Sequence, residues 1–237
     1  MEEPVTISGG WYVARLLERP AGLGTALLPE RILTLSSCLT QLFPDTWAIE
    51  WASHSTDERL AAVRKLGIDA GRLPTVMSEM TAAVASGELG WPSVWRSMAA
   101  ARRAAGRFGC ATRDFALIEL GVPVDCADEL LAHTRPSRGA GPGGFFEHLS
   151  LHTPVHAGGE AIGWEPLGVE VGADFHSWLC NSLHTVAKNR LGVEPGELGL
   201  LRTEADARAV DRMIAGGIGA EPVPWFPGVV LRHGWAV

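Results

Sequence analysis

The stretch Thr134-Arg135-Pro136-Ser137-Arg138-Gly139-Ala140-Gly141-Pro142-Gly143-Gly144 divides the sequence into parts with different hydrophobic periods. Pro and Gly at this density punctuate a chain rather than extend an element. Ahead of it apolar residues recur mostly at helical spacing; behind it the strand period of two returns more often. The resulting expectation is an α+β protein with a helical N-terminal half, followed by a small mixed β-sheet with packed helices. The boundaries are a mainly helical domain over 1–138, a Gly/Pro linker over 139–144 and an α+β domain over 145–237. Gly139, Gly141 and Gly144 also spell G-x-G-x-x-G. A dinucleotide loop follows a strand and opens a helix, so that the helix N-terminus meets the pyrophosphate. Here the glycines precede a strand-like run and Pro142 interrupts them, which rejects that reading.

In the first half, Ile32, Leu35, Leu39 and Leu42 keep helical spacing after Pro29, up to Pro44-Asp45. Trp47, Ile49 and Trp51 alternate with Ala48 and Glu50, predicting a short strand. Ser55-Thr56-Asp57-Glu58 is a capping box opening a helix that carries Leu60, Val63 and Leu66 and stops at Gly67. Two further helices begin with proline in the first turn, Pro74 to Gly87 and Pro92 through Ala105. A short helix follows Asp125. In the second half, Phe145–Leu151 and 162–171 read as strands, with Pro166 marking an edge or a bulge. A helix is predicted from Asp174 to Gly192, a short strand over Leu198–Leu201, a helix capped at Thr203 and closed by Gly216-Gly217, and a strand over Val229–Trp235.

Charge narrows the function classes. Twenty Lys+Arg against 27 Asp+Glu give a net charge of −7, a poor basis for holding nucleic acid or an anionic membrane through charge. The arginines 96, 102, 103 and 107 on one predicted helix then read as a solvated face. There is no uninterrupted apolar window of about 18 residues, and the opening MEEPVTISGG lacks the basic-then-apolar pattern of an export signal. The expectation is a cytoplasmic protein whose four cysteines, Cys38, Cys110, Cys126 and Cys180, are reduced.

Candidate chemistry concentrates behind the linker. On a helix over 174–190, Phe175, Trp178, Leu179, Ser182, Leu183 and Val186 form the inward stripe, and His176, Cys180 and His184 stand one above another on its flank. Thiol and imidazole suit Zn²⁺, or a thiolate with a neighbouring base. Eight rises of ~1.5 Å separate His176 from His184 by ~12 Å, so only adjacent members could share an ion. On a strand over Phe145–Leu151 and beyond, His148, Ser150 and His152 would share one face. The catalytic candidates are therefore Cys180, His176 and His148, and the metal ligands His176, Cys180 and His152. The blander account is a buried cysteine beside surface histidines. Glu165, Glu170 and Asp174 cluster at the strand-to-helix turn, with Asp174 the N-cap.

Nine tryptophans against one tyrosine carry a second line of reasoning, since Trp is enriched at binding hot spots. Prolines around Pro-Val-Pro-Trp-Phe-Pro-Gly would hold Trp225 and Phe226 near the surface. Trp225, Phe226, Trp164 and Glu170 are the binding candidates. Complete signatures for zinc hydrolases, nucleophile elbows, P-loops and EF-hands are missing. The leading expectation is a binding protein that docks a protein partner or small ligand through its C-terminal α+β half. The rival is a small metal-assisted or thiol-based enzyme, for instance a hydrolase, using His148, His152, His176 and Cys180.

Overall fold

A computed structural model of the chain describes residues 5–19, 27–36, 39, 42–44, 55–133, 143–170, 174–217 and 222–235. The predicted strand at Trp47–Trp51, Cys38, and Gly139 and Gly141 lie outside these residues.

The N-terminal half is strand-rich rather than helical. β1 (Thr6–Arg15) is a ten-residue strand buried at all but its two end positions, and β7 (Phe115–Pro123) is buried at every position. β1 is rich in β-branched and aromatic side chains, and β7 is mainly aliphatic. Both have packed material on each face, so apolar residues occupy both sides of the pleat and the alternation that would betray a strand is lost. Around them lie β2 (Leu17–Glu18), β3 (Arg31–Ile32), β4 (Leu42–Phe43), β5 (Leu89–Gly90), β6 (Val94–Trp95), β8 (Glu160–Val169), β9 (Phe175–Ser177) and β10 (Trp225–His233). The main sheet runs β5-β6-β1-β7-β10-β8-β9, with β4 also on β1, and curls into a half-barrel. Every pairing in it is antiparallel, which corrects the expected small mixed sheet. The strands before the Gly/Pro stretch, β5, β6, β1 and β7, lie together, and those after it, β10, β8 and β9, continue the same sheet from β7.

Among the described residues seven helices pack on the sheet: α1 (Thr56–Lys65), α2 (Leu73–Ala85), α3 (Met98–Phe108), α4 (Val124–His133), α5 (Phe145–Ser150), α6 (Leu183–Leu191) and α7 (Glu204–Ala215). Tyr12, Ile118, Leu120, Leu167 and Phe226 face an inner core shared with Phe145, Phe146 and Leu149 of α5. Trp11, Val13 and Leu117 face a second core with residues of α1, α2 and α3. Trp178, Leu183 and Ala187 meet Ala207, Val210 and Ile214 in a third, where α6 and α7 pack.

Local signals fared better than long-range ones. The Ser55 amide donates to Glu58 Oε2 at 2.7 Å and the Glu58 amide to Ser55 Oγ at 3.3 Å, closing the capping box. Thr203 Oγ1 accepts the Asp206 amide at 3.1 Å and opens α7. Elsewhere tertiary context overrode periodicity. Residues 33–36 between β3 and β4 are not helical. Pro92 lies in the loop of the β5–β6 hairpin, and α3 starts later, after Ser97 takes the Ala100 amide at 3.2 Å. Phe145–Ser150, expected as a strand, is helix α5. Pro166 pairs with Pro227 inside the sheet, so neither proline marks an edge.

Two glycines set the sheet's shape. The register slips between Ser8 and Trp11, and Gly10 at φ 102° takes the left-handed conformation the bulge needs. At Gly121 a Cβ would stand 2.5 Å from Val229, 2.7 Å from Thr6 and 3.0 Å from Val155. Its bare backbone lets the loop 153–159 cross the sheet, where the Ser8 amide bonds Thr153 O at 2.7 Å.

Candidate functional site

The expected helical row of His176, Cys180 and His184 does not exist. His176 lies in β9, and Cys180 opens a short 3-10 turn in which Asn181 is left-handed at φ 53°. Ser182, also left-handed at φ 57°, is the N-cap residue of α6. The helical register that would stack the three side chains is therefore broken twice. His176 Nε2 meets Glu170 Oε1 at 2.8 Å, whereas Cys180 Sγ lies 3.3 Å from Ser36 Oγ. His184 is buried edge-on to Trp178. The histidine face of the expected strand is dispersed too, because α5 replaces it. His148 is buried beside the Gly10 bulge, and burial pushes its imidazole down to about 4. His152 lies past the helix, exposed, 2.9 Å from Asp128, whose hydrogen bond holds the imidazole above its usual range. Among the described residues no three His, Cys, Asp or Glu side chains are placed to hold a metal ion, and His176, Cys180 and His152 each face a different partner, Glu170, Ser36 and Asp128.

The tryptophan reading changes as well. Trp225 and Phe226 begin β10 instead of standing in a turn. Phe226 is 1% exposed and stacks on Phe145 with centroids 5.8 Å apart. Trp225 and Trp164 are half-buried against the α6–α7 core. Glu170 is exposed and occupied with His176. The expected exposed Trp225–Phe226 docking pair is absent.

Two buried carboxyls stand out instead. Glu165, on the inner face of β8, is 1% exposed. It accepts the Thr34 hydroxyl, the Leu35 amide at 3.1 Å and the Ser177 hydroxyl. Burial outweighs these donors and pushes its carboxyl up to about 7. Glu119, in β7, lies on the opposite face of the sheet. Its Oε2 accepts the His156 amide at 2.9 Å and sits 3.4 Å from His233 Nε2, with both side chains only 2% exposed. Trp11 packs edge-on against His233 at 4.7 Å. Burial pushes the His233 imidazole below its ordinary value, against the pull of Glu119. No spacing in the sequence could have joined Glu119 to His233, because a strand pairing brings them together: His233 opposes Leu117, two residues from Glu119 on the same face.

His233 is also part of the wall of a cavity of about 510 Å³, which opens where β7 begins and β10 ends. Leu16, Leu33, Ala116, Ile162 and Leu198 give it an aliphatic lining continuous with the inner core. Phe115, Leu117 and Trp235 close the other side. Thr112, Arg113, Glu160 and Arg232 are its polar residues besides His233, whose side chain is itself sealed at 2% exposure. Arg232 holds Glu160 with contacts of 2.7 and 3.2 Å. From α3, the Arg102 guanidinium donates to Gly234 O at 2.7 and 3.1 Å, fixing the strand exit that carries Trp235.

No family model matches the sequence, and no match is found among curated proteins or solved structures. No helix among the described residues is long and apolar enough to cross a membrane.

Proposed function

We propose that the protein is a binding protein that takes a small molecule into the cavity at the β7–β10 end of the half-barrel. The observation that carries this reading is the cavity itself: about 510 Å³ with a continuous aliphatic wall and a few convergent polar side chains. That size and lining are typical of small-molecule sites. Docking of a protein through Trp225 and Phe226 loses its support, since Phe226 is core. The small-ligand form of the expectation keeps it, with residues of both halves contributing.

The test is titration with N-phenylnaphthylamine, a neutral apolar dye that brightens in dry surroundings. One saturable site is expected. Ile162→Trp, at a half-buried wall position, fills the cavity and abolishes the site without changing the circular dichroism spectrum. Absence of saturable binding, or binding indifferent to Ile162→Trp, overturns the reading.

A second reading is favoured by the Glu119–His233 contact in the cavity wall. A carboxylate behind an imidazole is an arrangement that can hold and move a proton beside a bound molecule. On this reading the enzyme alternative rests on His233, not on Cys180. Hydrolysis of short acyl esters by the wild type, lost in His233→Gln while dye binding persists, supports it; no turnover removes it.

A further inference from the structure

The ionisable side chains around the cavity are Arg113, Glu160, Arg232 and His233. Glu160 and Arg232 neutralise one another through two contacts to a single carboxylate oxygen. The neighbour of Arg113, Asp114, is turned to Arg31 at 3.4 Å, and Arg113 makes no ion pair with a described residue. His233 is backed by Glu119 and occupied from that side. Among the described residues one cation without an ion pair, Arg113, therefore borders an aliphatic trough, in a chain whose net charge is −7. Such a local reversal of sign selects the ligand's charge and the end that faces out.

We infer that the ligand is an aliphatic monocarboxylate, its chain along Leu16, Ile162 and Leu198 and its carboxylate on Arg113. This inference rests on the small-molecule reading above and names the ligand class. A planar guanidinium presents paired N–H donors that match a carboxylate's two oxygens. A dianion is a poorer match, because Glu160 stands at the same rim and, among the described residues there, Arg113 alone is a cation free of a carboxylate. Leu16, Leu33, Ile162 and Leu198 give one wall an aliphatic surface that a hydrocarbon chain can lie along, facing Phe115 and Trp235 on the other side.

Octanoate and octanol share a chain length and differ in the head group, so competition of each against N-phenylnaphthylamine separates charge from burial. Octanoate is expected to displace the dye at about tenfold lower concentration than octanol, the scale of one charge-assisted contact. Arg113→Gln removes that preference and leaves octanol unchanged, and Arg113→Lys retains most of it. Glu160→Gln strengthens octanoate further by freeing Arg232. Raising the salt concentration weakens octanoate and not octanol. Equal displacement by both, or an equal loss of both in Arg113→Gln, overturns the inference while the cavity reading stands. If the dye finds no site, the cavity reading falls. Calorimetry with octanoate then decides the inference alone, and an absence of saturable heat overturns it.

Discussion

Glu165 Oε2 accepts the Leu35 amide at 3.1 Å, joining the inner face of β8 to a segment 130 positions earlier in the chain. The carboxyl titrates near 7 in the fold and near 4.5 when unfolded. Between those values the folded protein holds the extra proton, so stability falls as pH rises from about 4.5 to about 7. The full effect is on the order of 3 kcal/mol. Glu165→Gln is expected to remove this contribution, so that the variant's stability rises with pH relative to the wild type's. Urea unfolding at several pH values checks it; a variant with the wild-type slope refutes it.

His148 works in the opposite sense. Its imidazole is pushed down to about 4, while the unfolded group titrates near 6.5. The unfolded state therefore binds the extra proton in that window, and stability falls as pH drops from about 6.5 to about 4. Burial shifts His233 in the same direction as His148, and Asp211 in the same direction as Glu165. The wild type should show a nearly flat stability between pH 4.5 and 6.5 because the slopes oppose. Glu165→Gln should expose a curve rising with pH, and His148→Gln one falling with pH. Parallel curves for the two variants would refute the balance.

Gly121→Ala should destabilise by about 1–3 kcal/mol, the usual cost of overpacking. The added methyl meets Val229, Thr6 and Val155 together, and the loop 153–159 must lift. Faster proteolysis within that loop accompanies the loss in thermal stability; unchanged cleavage there would show that the sheet, not the loop, yields.

Phe226→Ala should cost roughly 3–5 kcal/mol, as expected for a sealed aromatic residue, whereas Trp225→Ala costs clearly less because Trp225 keeps contact with solvent. Denaturant midpoints for the pair check this. A Trp225→Ala loss as large as that of Phe226→Ala would contradict the packing described.

What could be read from the sequence was what local chemistry dictates. The Ser55–Glu58 box and the Thr203 cap are satisfied within four residues, so no distant contact can overrule them. β1 and β7 escaped because burial on both faces erases the period that marks a strand, and the Ser8–Trp11 bulge breaks what remains. Phe145–Ser150 misled for the converse reason. Its single helical turn and a half is too short to display a helical period, and its paired phenylalanines favour strand by propensity. The histidines were visible as residue types, but their separation follows from α5 and from the left-handed Asn181 and Ser182. Glu119 and His233 meet through cross-strand register alone, which no linear spacing encodes.

The position of β1 also has a consequence for synthesis. A ribosome delivers Thr6–Arg15 early, yet Tyr12 pairs with Ile118 and Ile118 in turn with Arg232. β4 and β6 reach one edge of β1 before β7 covers the other, and β7 in turn keeps one edge bare until β10 arrives. The emerging polypeptide therefore presents the open edge of β7 until Trp225–His233 has been made.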